Sequence, residues 1–332
     1  LSWEFLASNQ QENGSFLSLS SHDPVSFQNP FIYPSVFSTT IILQCVSGIE
    51  TEKYFNVKEG MLNFLLSQKS KSWSFNYWVR DSEEFTAIQY PDDLDDTFCA
   101  LAAIYLCSPK NIDGKTIAKI ISLLTAVEVE EGGPYKTWLV DEKAGKGWKD
   151  IDFVVNTNIA YFLSLLDVTL PKQMEYLEGC IATGTIASPY YPSNFPAFYF
   201  LSRFYKGSLK NKLIDMLFSC SPTNTLDRAL RVLALMNFGS KDENIERDIL
   251  EIINNQQNGS WDVAPFYTGV NPKRDRTFFA GCSALTTAFC MKAITQYKQK
   301  YLGNNTEINL DKNKEILDRK IIGEVKKRYI QT

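Results

Sequence analysis

The sequence predicts an all-α fold, a single α/α toroid of about six helical hairpins with an inner and an outer ring of helices. One observation is a recurring helix start, in which a small polar cluster precedes an apolar run. A second is that amphipathic segments alternate with these runs, as expected when one helix is enclosed and the next faces solvent. The third is size, because 332 residues, 44% of them hydrophobic, can bury one large core.

The predicted inner helices share one pattern at their start. Ser, Thr, Asp or Asn stands where a helix N-cap belongs, and an apolar run follows. The pattern occurs at 37–43, 94–100, 155–161, 226–232 and 285–291, with a weaker copy at 193–201. Equivalent helices in a ring begin at the same end, so we expect their polar starts to meet at one mouth of the barrel.

The predicted outer helices are the amphipathic segments at 59–68, 114–126, 173–182, 208–219 and 244–255. A second repeat has Gln, then Asn-Gly-Ser and an aromatic residue, at 10–16 and 256–261, with 68–73 as a degenerate relative. Asn-Gly supplies the left-handed residue that stops a helix. We therefore interpret this repeat as a structural link between hairpins and not as a site.

Composition bears on partners and location. A net charge of −4 and a pI near 5.3 leave no basic excess, which predicts no nucleic-acid partner. The seven cysteines form no CxxC pair, and we expect reduced core thiols in a cytoplasmic protein. Phe, Tyr and Trp make up 13% of the chain, which suits a cavity with aromatic walls as well as a large core.

The strongest chemical signal is the run Asp92, Asp93, Asp95 and Asp96, directly before the apolar run at 98–106. Where water is excluded, desolvation and like-charge repulsion keep at least one such acid protonated, whereas a helix N-terminus favours the anion. A neutral carboxylic acid in an apolar cavity is a proton donor. From the cluster alone, a metal site or a solvated acidic loop is the alternative.

With the motif and the repeats in view, the sequence resembles the superfamily of terpene cyclases and protein prenyltransferases over residues 1–297. The Gln and Gly-aromatic repeats resemble those that end outer helices in this superfamily. Asp93-Leu94-Asp95-Asp96-Thr97 resembles the Asp-x-Asp-Asp-Thr motif of class II, protonation-initiated terpene cyclases. The domain prediction is a toroid over 1–300, followed at 301–332 by a charged amphipathic helix that links to a further domain.

The resemblance implies that Asp95 protonates a terminal alkene of a linear isoprenoid and starts carbocation cyclisation, an isomerase-type reaction. Asp93 and Asp96 then orient the proton and raise its acidity. Asn156 and Asn158 are candidates to point toward the acids, in place of the His that some cyclases use. The aromatic candidates for the cavity wall are Trp73, Trp78, Tyr135, Trp138, Tyr190 and Tyr191.

A linear polyprenyl diphosphate is the preferred substrate, with the diphosphate retained. It requires cations at the rim, for which Lys136, Arg274 and Arg276 are the candidates. No cofactor is required, and Mg²⁺ is compatible with a diphosphate substrate. The site residues are thus predicted without a metal ligand set.

Several alternatives remain open at this level. They are a squalene-type triterpene cyclase, a scaffold or lipid-binding toroid, and a zinc-dependent prenyltransferase β-like subunit. Class II cyclases normally join two toroids, so a second domain or subunit completing the cavity is expected, and contact with a membrane surface is left open. The chain begins without Met, which suggests that it is a trimmed form of a longer protein.

Overall fold

The computed structural model describes residues 1–49, 51–141, 143–271 and 276–302, with the backbone alone described at 270, 271, 276 and 302. In chain order its helices and strands are α1 (Ser2–Asn9), β1 (Phe16–Ser21), β2 (Phe31–Ser35), α2 (Val36–Val46), α3 (Phe55–Gln68), α4 (Glu83–Ile88), α5 (Leu94–Cys107), α6 (Gly114–Val127), α7 (Phe153–Leu165), α8 (Pro171–Thr183), α9 (Phe195–Ser202), α10 (Lys210–Ser219), α11 (Thr225–Asn237), α12 (Glu243–Asn254), β3 (Tyr267–Asn271), β4 (Arg276–Gly281) and α13 (Ser283–Tyr297). Most of the predicted C-terminal helix, from 303 onward, lies outside the described residues.

Helices α2, α5, α7, α9, α11 and α13 form the inner ring. Each packs against the next in this order, and α13 packs against α2, so the ring is closed. Every residue of α2 is buried, because an inner helix has neighbours on all sides. All the predicted inner helix starts lie within two residues of an observed start, and the prediction of an α/α toroid is confirmed.

The outer helices cover this ring. Helix α3 packs on α2 and α5, α8 on α7, α10 on α9, α12 on α11 and α13, and α1 on α13. Helix α6 buries Ile120, Leu124 and Val127 in the same core and turns its polar face to solvent. Each outer helix therefore forms a hairpin with an inner one, which completes the toroid.

Hydrogen bonds of one kind link several of the hairpins to the next. The backbone N–H groups of Phe16, Phe75 and Trp261 donate to hydroxyl groups on inner helices, those of Thr39, Thr97 and Thr287, at 2.9, 3.0 and 3.2 Å. Gln10 donates to the carbonyl groups of Gly14 and Val57 at 3.0 and 2.9 Å. The Gln-Asn-Gly-Ser repeat therefore has the structural role that the sequence predicted.

A small antiparallel sheet, in the strand order β2-β1-β4-β3, lies beside the mouth of the ring. The all-α prediction did not include it. Its strands have five or six residues each, and β1 pairs with β4 from the far end of the chain, so no local pattern announces the sheet. The sheet matters for the site because Tyr267, Thr268 and Phe278 of the hairpin formed by β3 and β4 line the cavity.

None of the described helices is long and apolar enough to cross a membrane. The seven cysteines are all free.

Candidate active site

A cavity of about 430 Å³ opens where the inner helices α2 and α5 begin. Its walls come from the starts of these helices, from the segments before α7 and α9, and from the hairpin of β3 and β4. The lining residues are Phe37, Tyr77, Tyr90, Asp93, Asp95, Asp96, Thr137, Trp138, Gly147, Trp148, Pro189, Tyr190, Tyr191, Tyr267, Thr268, Gly269 and Phe278. Nine of these seventeen residues are Phe, Tyr or Trp. The cavity is thus an aromatic chamber with carboxyl groups on one wall.

The local fold of the Asp-rich run explains how these acids are presented. Asp93 is the N-cap of α5 and accepts the backbone N–H of Asp96 at 2.7 Å. This cap fixes the first turn of the helix and leaves Asp95 half-buried, with its carboxyl group facing the cavity. A chain that contains Asp93, Asp95 and Asp96 in one helical turn therefore places all three acids in the same wall.

Asp95 has two hydrogen-bond partners from other parts of the ring. Asn158 of α7 donates from Nδ2 to Oδ1 of Asp95 at 2.6 Å, and the Tyr191 hydroxyl, before α9, bonds Oδ2 at 2.7 Å. Cys99 lies one turn along α5, with its sulfur 4.0 Å from Oδ1. Both oxygens of the carboxyl group are held, which fixes its orientation toward the cavity.

A cationic side chain, Arg203, lies on the far side of Asn158 from Asp95. Arg203 donates from Nη2 to Oδ1 of Asn158 at 2.5 Å and from Nη1 to Oε1 of Gln44 at 2.7 Å. Its guanidinium carbon lies 3.7 Å from the ring centre of Tyr161 and 4.6 Å from that of Phe200, within the range of cation–π attraction. Arg203 therefore acts on Asp95 through Asn158 and not by direct contact.

The surroundings alter the acidity of all three acids. Burial raises the pKa of Asp95 above its ordinary value, while the hydrogen bonds from Tyr191 and Asn158 and the charge of Arg203 oppose that rise. Burial raises the pKa of Asp93 to about 7. Burial and the charge of Asp93 raise the pKa of Asp96 further, and the two side chains are hydrogen-bonded. At neutral pH the site therefore holds carboxyl groups that retain protons.

Asp96 has one oxygen with no protein partner. Its Oδ1 is buried and makes no hydrogen bond among the described residues. A neutral carboxyl group tolerates such a position better than an anion does, because the desolvation cost of a charge is much larger. This agrees with the rise in the pKa of Asp96.

The expectation that both amides of α7 point toward the acids is wrong for Asn156. Its side chain accepts the N–H of Tyr135 and donates to the carbonyl groups of Tyr135 and Asp152, each at 2.9 Å. Asn156 thus forms the same kind of hairpin link as the threonines of the other inner helices. Tyr135 is held in that link and is not a wall residue, contrary to the prediction.

The predicted wall residues divide into two groups. Trp138, Tyr190 and Tyr191 line the cavity, whereas Trp73, Trp78 and Lys136 do not. Trp73 lies in the turn after α3 with φ of +67°, and Trp78 forms a second layer whose ring packs 4.8 Å from that of Tyr77. Arg274 and the side chain of Arg276 lie outside the described residues.

Sequence reasoning missed several residues of the site. Tyr90, Trp148 and Tyr267 line the cavity, and the rings of Trp138 and Trp148 meet edge to face at 4.7 Å. Arg203 was missed as a partner of the acid. Its signal was a single cation at the end of an apolar run, α9, but that pattern alone names no partner.

Comparison with known proteins identifies the fold. No protein-family model and no curated protein sequence matches the chain. Solved structures do match it. A protein from Actinoplanes is 13% identical, with a TM-score of 0.65, and the match covers 88% of this chain and 96% of the Actinoplanes chain. The type II terpene cyclase MstE from Scytonema, in its apo form, is 13% identical with a TM-score of 0.61, at 89% and 95% coverage. A Tyr-to-Phe variant of MstE is also 13% identical, with a TM-score of 0.62, and the match covers 89% of this chain and 94% of the variant.

At this identity the likeness shows the fold alone. The chain has a toroid like that of the type II terpene cyclase MstE, and the fold expected from the resemblance is confirmed. No group of three or more His, Cys, Asp or Glu side chains in the described part of the chain is arranged to hold a metal ion.

Proposed function

We propose that this protein is a class II terpene cyclase in which Asp95 is the general acid. The observation that carries the proposal is the position of Asp95. Its carboxyl group faces an aromatic cavity and is held by Asn158 and Tyr191, with Arg203 behind them. The same residues would be unusual in a structural acid, which needs no open cavity in front of it.

The chemical step is proton transfer from Asp95 to a terminal alkene. The electron pair of the double bond forms the new C–H bond, and the tertiary cation that results is attacked by the next double bond of the folded chain. Negative charge develops on Asp95 during this transfer. The donors Asn158 and Tyr191 stabilise it as it forms, which lowers the barrier.

The wall suits the cationic intermediates. Aromatic faces attract positive charge without supplying a lone pair that would capture it. Phe37 and Tyr191 form one aromatic group of the wall, and Trp138, Trp148 and Tyr190 form a second; Phe266, which does not line the cavity, packs against Phe37 and Tyr191 at ring-centre distances of 6.1 and 5.7 Å. Enclosure by these rings also excludes water from the cation.

The preferred substrate is a linear polyprenyl diphosphate whose diphosphate is retained, with Mg²⁺ as its counter-ion. A specific observation favours a second candidate, an uncharged polyene of the squalene type. None of the described lining residues is Lys or Arg, so diphosphate recognition would depend on side chains such as Arg274 and Arg276. A cavity of about 430 Å³ is within the usual range for small-molecule sites.

The test is incubation of the purified protein with farnesyl diphosphate, geranylgeranyl diphosphate or squalene, each with and without Mg²⁺. Products are dephosphorylated where necessary and identified by mass spectrometry. We expect a cyclic isomer from one of these substrates, and its loss in Asp95→Asn with an unchanged circular dichroism spectrum. Unchanged substrates throughout would contradict the proposal and favour a scaffold or lipid-binding toroid.

A cytoplasmic location, a second domain or subunit that completes the cavity, and contact with a membrane surface are also proposals. Sedimentation of the protein alone tests for a second subunit, and sedimentation with lipid vesicles tests for contact with a membrane surface.

A further inference from the structure

We propose that Tyr190 and Asp150 form the pair that removes the final proton from the cyclised cation. This inference rests on the proposed function, because it concerns the last step of the same reaction. It assigns the chamber a proton acceptor as well as a proton donor, and so predicts a cyclic alkene as the product.

The geometry connects Tyr190, which lines the cavity, to a carboxyl group behind the wall. The Tyr190 hydroxyl donates to Oδ2 of Asp150 at 2.8 Å, and the Thr137 hydroxyl donates to the same oxygen at 2.8 Å. Trp138 donates from Nε1 to the Tyr190 oxygen at 3.0 Å. Tyr190 therefore has a fixed hydrogen-bond direction, with its own proton directed to Asp150.

Asp150 can take the hydroxyl proton of Tyr190 at Oδ2, the oxygen to which that hydroxyl already donates. Asp150 is half-buried and is therefore in partial contact with solvent, to which it can return the proton. Burial and the neighbouring Asp150 raise the pKa of Tyr190, which keeps the phenol neutral and suits it to relay a proton.

Adjacent tyrosines thus serve different carboxyl groups. Tyr191 bonds Asp95, the proposed donor, and Tyr190 bonds Asp150. The segment is held in place because the N–H of Thr268 in β3 donates to the Tyr190 carbonyl at 2.8 Å. Two consecutive residues therefore contact the proposed proton donor, Asp95, and the proposed proton acceptor, Asp150.

The step balances without a cofactor. A C–H bond next to the cationic carbon breaks, and its electron pair becomes the new C=C bond. The proton passes to the Tyr190 oxygen while the hydroxyl proton of Tyr190 passes to Oδ2 of Asp150. Tyr190 is neutral before and after, and Asp150 ends protonated and returns its proton to solvent.

A phenol between the cation and the carboxylate has a further use. A carboxylate in direct contact with the cation would attack it and form an ester, whereas a phenol ring attracts the cation by its face. Another hydroxyl cluster, which joins Tyr33, Tyr267 and Ser18, also reaches the cavity wall. In the part of the chain that the structure describes, the hydrogen-bonded members of this cluster include no carboxyl group, so Asp150 is the better acceptor.

The experiment uses the full chain and whichever of farnesyl diphosphate, geranylgeranyl diphosphate and squalene the wild type converts. Asp150→Asn keeps the size and the hydrogen-bond acceptor but removes the basic oxygen, and Tyr190→Phe removes the relay. The matched control is Tyr205→Phe. Tyr205 also bonds a carboxylate, Glu178 at 3.0 Å, but it does not line the cavity.

We expect Asp150→Asn and Tyr190→Phe to consume substrate still, because termination follows the proton transfer from Asp95, but to form a different set of products. The main wild-type alkene should fall about tenfold or more relative to isomeric alkenes and water-captured alcohols, because a general base typically contributes on the order of 100-fold or more. Tyr205→Phe should leave the product ratio unchanged.

An unchanged product ratio in a folded Asp150→Asn protein overturns the inference, and so does a wild-type product with a hydroxyl group in place of the new double bond. Loss of all turnover in both variants, to the level of Asp95→Asn, also overturns it, since termination should not stop initiation. Wild-type turnover that Asp95→Asn abolishes supports the proposed function in each of these cases. If the wild type converts none of the substrates, both proposals fail together.

Discussion

Arg203 and Asp95 do not touch, and the amide of Asn158 separates them through hydrogen bonds of 2.5 and 2.6 Å. A guanidinium group only donates, so the oxygen of Asn158 faces Arg203 and its NH2 group faces Asp95. A direct ion pair would lower the pKa of Asp95 by about 1 to 3 units and hold it ionised. The intervening amide lets the cation orient the acid and support its conjugate base while the acid can still carry its proton.

We expect Arg203→Lys to lower kcat by about 10- to 100-fold with KM changed less than about threefold. A lysine ammonium cannot reach both Asn158 and Gln44 in the way that the guanidinium does. Steady-state kinetics on the converted substrate tests this. Arg80→Lys is the control, because Arg80 bonds Asp92 at 2.7 Å, outside the cavity lining. Equal losses in the two variants would contradict the role given to Arg203.

The two amides of α7 should respond in opposite ways to replacement. Asn156→Ala leaves the buried backbone groups of Tyr135 without partners and should lower the free energy of unfolding by about 2 to 3 kcal/mol. Asn158→Ala should reduce kcat more than about tenfold with a smaller loss of stability. Urea unfolding and kinetics on both variants measure these effects. If Asn156→Ala loses activity but keeps its stability, the structural role given to Asn156 is wrong.

Activity should fall as pH rises through the pKa of Asp95, since the acid must be protonated to act. Tyr191→Phe removes a hydrogen bond that favours the ionised form of Asp95. Its pKa should therefore rise, and the alkaline limb of the kcat profile should move to higher pH while the maximum falls. A limb at the same pH in wild type and Tyr191→Phe would show that another group controls it. Tyr205→Phe should keep the wild-type profile.

Stability should also depend on pH through Asp93. Its pKa is about 7 in the folded protein against 3.8 for an ordinary Asp, chiefly because of burial. The folded state therefore binds more protons than the unfolded chain between these values, and this contribution weakens stability as pH rises toward 7. We expect a Tm at pH 5.5 that is about 3 °C or more above that at pH 8. Asp93→Asn should shrink the difference, and an equal difference in that variant would assign it to other groups.

Gly14 should tolerate Ala less well than Gly184 does. Both have positive φ, of +89° and +79°, so each replacement carries backbone strain. At Gly14 a Cβ would also stand 2.1 Å from the Gly60 carbonyl oxygen, whereas nothing lies within 4 Å at Gly184. Thermal unfolding should show a loss at least about 1 kcal/mol larger for Gly14→Ala. Similar losses would mean that the link at Gly14 is not close-packed.

Much of the fold was predictable because its signals are local. A polar residue followed by an apolar run marks the start of each inner helix, and the pattern repeats along the chain. The sheet was not predictable in this way. Its pairing of β1 with β4 joins residues about 260 positions apart, such as Leu19 and Gly281, and short strands carry little pattern of their own.

The acids illustrate what the sequence by itself determined. Asp93, Asp95 and Asp96 stand in one helical turn before an apolar run, so any fold that buries the run brings them into one wall. The partners of those acids are a different matter. Asn156 and Asn158 are equal candidates in sequence, but two residues along a helix turn a side chain by about 200°, and only packing decides which one faces Asp95. The site also includes Arg203, Tyr190 and Asp150, which come from parts of the chain far from the acids. Their contacts form only when the inner helices pack into a closed ring, so the tertiary structure determines them.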